Sequence, residues 1–232
     1  MESNQKVTIT KNGPYLVAGK LPLSKVISIV GSENEPEEWK KGKQYPEHEK
    51  YALCRCGKSQ NKPYCDGTHI KIGFNGEETA SKKKYSNQCE IINGPELDLL
   101  DAKKFCSNAR FCQLSGDTWH NVERSDDLNA RKIAIKTASN CPSGRLVACN
   151  KKTKNPYEKK FEPSIDMIED PQLKVSGPIW LKGGIELESA DGSKYEIRNR
   201  MTLCRCGKSN NKPFCDGSHI NVRFNDGDES LI

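Results

Sequence analysis

Sixteen residues of this chain occur twice. Cys54 to His69 read CRCGKSQNKPYCDGTH and Cys204 to His219 read CRCGKSNNKPFCDGSH, thirteen positions identical at a constant offset of 150. The three differences, Gln60/Asn210, Tyr64/Phe214 and Thr68/Ser218, keep size or chemistry. A repeat this long means two copies of one structural unit. Leu53/Leu203, Ile70/Ile220, Phe74/Phe224 and Asn75/Asn225 extend it, and upstream Gly13-Pro14 parallels Gly177-Pro178. The distance from that proline to the first cysteine is longer in the first copy, which therefore carries an insertion, placed at 33–49.

The repeat divides the chain into a first module over 1–80, a middle segment over 81–155 and a second module over 165–232. Lys-rich runs at 81–84 and 151–156 flank the middle segment and read as solvated linkers. The composition agrees with small modules that need help to fold. Only 7% of residues are aromatic, and counting Gly in place of Tyr leaves roughly 39% apolar, against a usual ~45–50%. The help is expected from eleven cysteines. An odd number cannot all pair as disulfides, the opening MESNQK lacks the apolar core of a secretory leader, and no run approaches the ~18 apolar residues of a membrane span. A reducing, cytoplasmic compartment follows as the expectation, where clustered cysteines mean metal or redox chemistry. The net charge of +6 is too mild to imply a nucleic-acid partner, and no membrane partner is expected.

Each copy has the pattern C-x-C-x8-C-x3-H. The close pair Cys54/Cys56, or Cys204/Cys206, can chelate from one bent segment, and Gly57/Gly207 and Pro63/Pro213 supply turns after it. Asp66/Asp216 reads as a helix N-cap. A helix starting there puts Cys65 and His69, or Cys215 and His219, on one face. Three thiolates and one imidazole suit zinc or an iron–sulfur centre. Structural zinc sites favour the wider C-x2–4-C bite, which counts against a zinc finger.

The phrase CDGTH/CDGSH, with C-R-C upstream and K-P-[YF] between, resembles the CDGSH iron–sulfur domain family, which includes mitoNEET. The resemblance implies one [2Fe–2S] cluster per motif, with Cys54 and Cys56 on one iron and Cys65 and His69 on the other. Cys204, Cys206, Cys215 and His219 repeat this. It implies no catalytic base or nucleophile in the motif. A neutral His in place of a thiolate makes the cluster less negative and raises its potential, and protonation of that His predicts acid-labile clusters. Arg55, Lys58 and Lys62, with Arg205, Lys208 and Lys212, are expected to ring the sites and to favour acidic redox partners. Tandem family members suggest that the two copies pair within the chain as a pseudo-dimer, leaving a monomer overall.

In the middle segment Cys106-x5-Cys112 precedes Cys141-Pro142-Ser143-Gly144. This resembles divergent mono-cluster ferredoxin domains, with Ala109 standing where a further cysteine would ligate. Three ligands, Cys106, Cys112 and Cys141, imply a third cluster, [3Fe–4S] or a [4Fe–4S] with a non-cysteine fourth ligand. Cys89 and Cys149 have no partner in the pattern and read as free, buried thiols. His48 and His120 read as structural or exposed.

The expected fold is α+β: two small β-rich cluster modules and a ferredoxin-like α+β middle segment. Strands are predicted over 7–10, 15–17, 25–29, 179–181 and 194–197. A helix is predicted over 126–139, capped by Ser125 and stopped by Pro142, with Leu128, Ala134, Ile135 and Ala138 on its inner face. The leading functional reading is electron transfer by an iron–sulfur protein with redox partners. Cluster storage and transfer to apo-acceptors is a second, and a zinc-binding interaction module a third. No phosphate-loop or dinucleotide glycine pattern supports an enzyme.

Overall fold

Val7 and Ile9 point inward from Lys6–Ile9 (β1) while Lys6 and Thr8 are half-buried, the period-two pattern of a strand lying on a core. The computed structural model describes residues 5–231 and is mixed α/β, mostly sheet with few helices. Residues 1–4, which begin the stretch lacking a leader's apolar core, lie outside the described residues. After β1 come Tyr15–Ala18 (β2), Leu23–Val30 (β3), Pro36–Gln44 (β4), Lys50–Leu53 (β5) and the one-turn helix Thr68–Lys71 (α1). The middle segment contributes Glu90–Asn93 (β6), Leu97–Asp101 (β7), Thr118–Glu123 (α2), Leu128–Asn140 (α3) and Leu146–Asn150 (β8). The second copy adds Ser164–Asp170 (β9), Val175–Lys182 (β10), Glu186–Glu188 (β11), Arg200–Leu203 (β12) and Ser218–Asn221 (α4).

The repeat is visible in the pairing register. Tyr15 faces Leu53 across β2 and β5, and Ile179 faces Leu203 across β10 and β12. The two copies also exchange strands. β3 of the first lies parallel to β9 of the second, and β11 of the second lies parallel to β1 of the first. The sheets are therefore composite, ordered β11-β1-β2-β5 and β12-β10-β9-β3-β4. A shared core fills the space between them: Val7, Ile9, Tyr15, Val17 and Leu53 meet Ile165, Met167, Leu181, Leu187 and Leu203. Each such side chain contributes about 1.5–3 kcal/mol on full burial.

The middle segment is an antiparallel sheet, β6-β7-β8. Leu97, Leu99, Leu146 and Ala148 pack against Val122, Ala134 and Ala138 of α2 and α3. It docks on the second copy and on the hairpin of β3 and β4. Phe105 meets Phe214 edge-on at 5.0 Å, and Trp39 of β4 stacks on Phe111 at 4.4 Å. Arg200 donates to the carbonyls of Ala138 and Cys141 and pairs with Glu158.

Several local expectations are corrected. The 33–49 insertion contains strand β4, paired along β3, whose Trp39 holds the middle segment. The helix begins at Leu128 and is capped by Asp127, whose carboxylate accepts from the Ala130 N–H at 2.8 Å. Ser125 instead accepts from the N–H groups of Glu96 and Leu97, and Leu128 is 67% exposed, outside the core. No strand forms over 194–197. Only Tyr195 turns inward there, against Phe214, and Lys194 makes an isolated bridge. The 151–156 run is no free linker, because Lys151 and Lys154 each reach Asp98 at 2.6 Å. Burial pushes that carboxyl up, but the two ammonium groups outweigh it and hold it below its usual range.

Candidate metal centres

In each copy the strand leading into C-x-C ends in a tight loop that returns to the strand. The Cys54 N–H donates to the Pro63 carbonyl at 2.8 Å and the Cys65 N–H to Ala52 at 2.9 Å. Cys204 and Cys215 make the same bonds to Pro213 and Thr202, at 2.8 and 2.9 Å. Ser59 and Ser209 close the loops on the carbonyls of Tyr64 and Phe214. Asp66 accepts from the N–H groups of Gln60 and Thr68, and Asp216 from those of Asn210 and Ser218. These carboxylates order the turn before the helix; the N-cap itself is Gly67 or Gly217, in left-handed conformation.

The loops bring the predicted ligands together in twos. Cys54 and Cys56 have their sulfurs 3.8 Å apart, as do Cys204 and Cys206. Cys65 Sγ stands 3.3 Å from His69 Nδ1, and Cys215 Sγ 3.5 Å from His219 Nδ1. Among the described residues no group of three or more His, Cys, Asp and Glu side chains converges as a single metal ion would require. Burial pushes the thiols of Cys56, Cys65 and Cys215 up. The Cys206 thiol, helped by the N–H groups of Ser209 and Gly207, draws Cys204 down to about 6. A bound cation overrides such burial by deprotonating a coordinating thiol outright.

The copies meet at the glycines that follow each C-x-C. Gly57 and Gly207 have φ of 74° and 75°, and a Cβ on either would lie 2.7 Å from the carbonyl oxygen of Cys206 or Cys56 respectively. Only glycine admits both that conformation and that approach. Tyr15 of the first copy also donates to the Cys204 carbonyl at 2.9 Å.

The surroundings then diverge. Arg55 and Arg205 are 2% and 4% exposed, so neither belongs to a surface ring of charge. Arg55 donates to the carbonyls of Thr10 and Gly76. Arg205 instead pairs with Glu169 at 2.8 Å and Asp226 at 3.4 Å, in a buried group that includes Lys25 and Asp228. Burial still pushes the Glu169 carboxyl up despite Arg205. Asp226 occupies the repeat position of Gly76, so a carboxylate replaces a carbonyl. His69 is half-buried, whereas His219 is 5% exposed. The middle loop causes this: Ser107, Asn108 and Ala109 line one small pocket with His219, and Asn108 lies against Gly217. Burial, then the charge of Arg205, lowers the His219 imidazole to about 4. At another repeat position Gly73 has φ 58° and Arg223 φ 45°, a conformation costing an L-residue roughly 1–2 kcal/mol.

The three middle cysteines lie within electrostatic reach of one another. Burial pushes Cys112 up to about 12, reinforced by charge at Cys141 and Cys106. Arg145 donates to Cys106 Sγ at 3.2 Å while its other nitrogens grip Asp101. Cys89 and Cys149 stand apart from these ligands. Cys149 is buried, but Cys89 is only half-buried. His48 and His120 are exposed.

Residues 12–70 and 176–220 match the family model described as iron-binding zinc finger, CDGSH type. Residues 92–151 match the divergent 4Fe-4S mono-cluster model. This is a tandem CDGSH chain with an inserted segment. As such it is an iron–sulfur-binding protein. No curated relative and no solved structure matches it. Among the described residues no helix is long and apolar enough to cross a membrane.

The sequence reading missed the CDGSH copies' divergent surroundings. One signal was present, since Gly73/Arg223 and Gly76/Asp226 are places where the repeat breaks. The loop over His219 left no such mark.

Proposed function

We propose that this protein carries electrons on two [2Fe–2S] clusters and a third cluster, [3Fe–4S] or [4Fe–4S], and catalyses no reaction of its own. The observation that carries the reading is the twofold pairing of donors, Cys–Cys and Cys–His, on matched hydrogen-bonded loops in both copies. Cys54 and Cys56 would hold one iron and Cys65 and His69 its neighbour, with Cys204, Cys206, Cys215 and His219 doing the same in the second copy. When bound, each cluster supplies a one-electron redox couple. The chain provides thiolate ligation, buried arginines that offset negative charge, and an apolar lining such as Phe224. Cys106, Cys112 and Cys141 would hold the third cluster, with Arg145 as counter-charge. The reciprocal strands and the facing Gly57 and Gly207 support an internal pseudo-dimer, and the odd count of eleven cysteines is the ground for a reducing, cytoplasmic setting.

The test is iron, zinc and acid-labile sulfide per chain. Four irons mean the two [2Fe–2S] clusters alone, and about seven or eight mean that the middle cluster is also present. Cys112→Ala is expected to lower the count to four and leave the [2Fe–2S] spectrum intact. Stoichiometric zinc without sulfide would overturn the reading. A second function, donation of a cluster to apo-acceptors, draws on the half-exposed His69. Incubation with an apo-ferredoxin separates the two, because donation bleaches the donor and electron transfer does not.

A further inference from the structure

A cavity of about 380 Å³ opens at the seam between the two CDGSH copies. Gly57, Lys58, Gln60 and Lys62 form one side, and Cys206, Lys208 and the 222–225 turn form the other. Lys58, Lys62, Lys208 and Arg223 are cationic, and no carboxylate lines the cavity. Among the described residues none of these four makes an ion pair. Lys62 donates only to the carbonyl of Ser59. Four like charges around one concavity repel one another, and the Cys206 sulfur, with the cluster it would hold, is the one group of the lining that carries opposing charge.

Arg223 is where the two copies differ at this cavity. Its backbone is left-handed at the position where the first copy has Gly73. The side chain is exposed, and the left-handed backbone is a helix C-cap, with the Arg223 N–H on the Ile220 carbonyl and the Phe224 N–H on the His219 carbonyl.

We propose that the seam cavity binds a small, multiply charged phosphoanhydride, with Arg223 and the three lysines as its counter-charges. An arginine fork takes two phosphate oxygens at once, and lysines act as point charges on the rest. The volume falls at the small-ligand end of binding pockets. The cations line a concavity instead of a flat apron, which favours a small anion over an acidic protein face. The pseudo-equivalent position has Gly73 in place of the arginine, so each chain has one site. Its ligand touches both copies and stabilises their contact by mass action.

Calorimetric titration of the full, cluster-loaded chain with inorganic pyrophosphate, in a chloride buffer of low ionic strength, tests this. One site per chain is expected, weakening as salt rises. Arg223→Gly is expected to lower affinity about tenfold or more, the loss of a charge-assisted hydrogen bond, while cluster absorbance stays intact and the melting temperature does not fall. Lys58→Ala/Lys208→Ala, remote from the strained turn, should weaken binding similarly. A parallel titration with ADP identifies the source: tighter binding than pyrophosphate indicates a nucleotide, and equal binding indicates the diphosphate alone. Absence of binding by both, wild-type affinity in the Arg223→Gly chain, or binding of polyglutamate but not pyrophosphate would overturn the proposal. Cluster content is measured separately, so failure here leaves the electron-transfer reading standing.

Discussion

The two CDGSH copies position their ligands with the same backbone bonds and then surround them differently. The first leaves His69 half-exposed and gives Arg55 two carbonyls and the rings of Tyr15 and Phe74 as partners. The second buries His219 beneath a loop of the middle segment and pairs Arg205 with two carboxylates. A duplicated motif thus keeps its local chemistry, while the chain around it sets how water and charge reach each centre. Greater exposure and an arginine without a carboxylate partner both favour added negative charge at the first centre. Under the electron-transfer reading its potential is the higher of the two.

The sharpest way to break this comparison is to remove each arginine. Arg205→Met leaves Glu169 and Asp226 buried without their guanidinium and is expected to destabilise by about 3–5 kcal/mol. Arg55→Met leaves two carbonyls without their donor and two rings without their cation, but strands no paired carboxylate, and is expected to cost about 1–3 kcal/mol. Urea unfolding of the two variants decides, and equal losses would erase the distinction. Mild acidification comes next. The half-exposed first centre is expected to bleach several-fold faster than the buried second, giving two phases in the visible absorbance. Cys54→Ser should remove the faster phase, and Asn108→Ala should bring the slower one closer to it. A single phase in the native protein would contradict the burial argument.

The smallest effect concerns the carboxylates that order the turns. Burial pushes Asp216 up, but the Ser218 hydroxyl and the N–H groups of Asn210 and Ser218 hold it below its usual range. A carboxyl lowered on folding stabilises fully above its unfolded value, about 4, and loses that stabilisation as pH falls through the native value. Asp216→Ala is therefore expected to cost up to about 1 kcal/mol near neutrality after solvent screening. The deficit should shrink below pH 4. Asp66→Ala, at a fully exposed carboxylate, should show a weaker version of the same curve.

The ligands were legible because their spacing is local: C-x-C and C-x3-H bring donors together within one loop and one turn. The strands at 7–10 and 15–17 were legible from strand-forming residues set between glycines and prolines. The exchange of β3 and β11 between copies was not, because parallel pairing across more than a hundred residues leaves no periodic trace in either strand. The 194–197 segment shows the reverse failure: its alternation reflects one tyrosine under Phe214. Arg205 and Asp226 were individually visible, yet only folding brings Glu169 and Lys25 to them.

The exchanged strands also impose a schedule on synthesis. Chains emerge from the ribosome N-terminus first, and β1, early beside β2, and β3, early beside β4, must wait for 186–188 and 164–170 before either gains its second neighbour. The first CDGSH loop, although made early, therefore acquires its finished walls only after nearly the whole chain is translated. The two loops mature together, not in the order in which they are written.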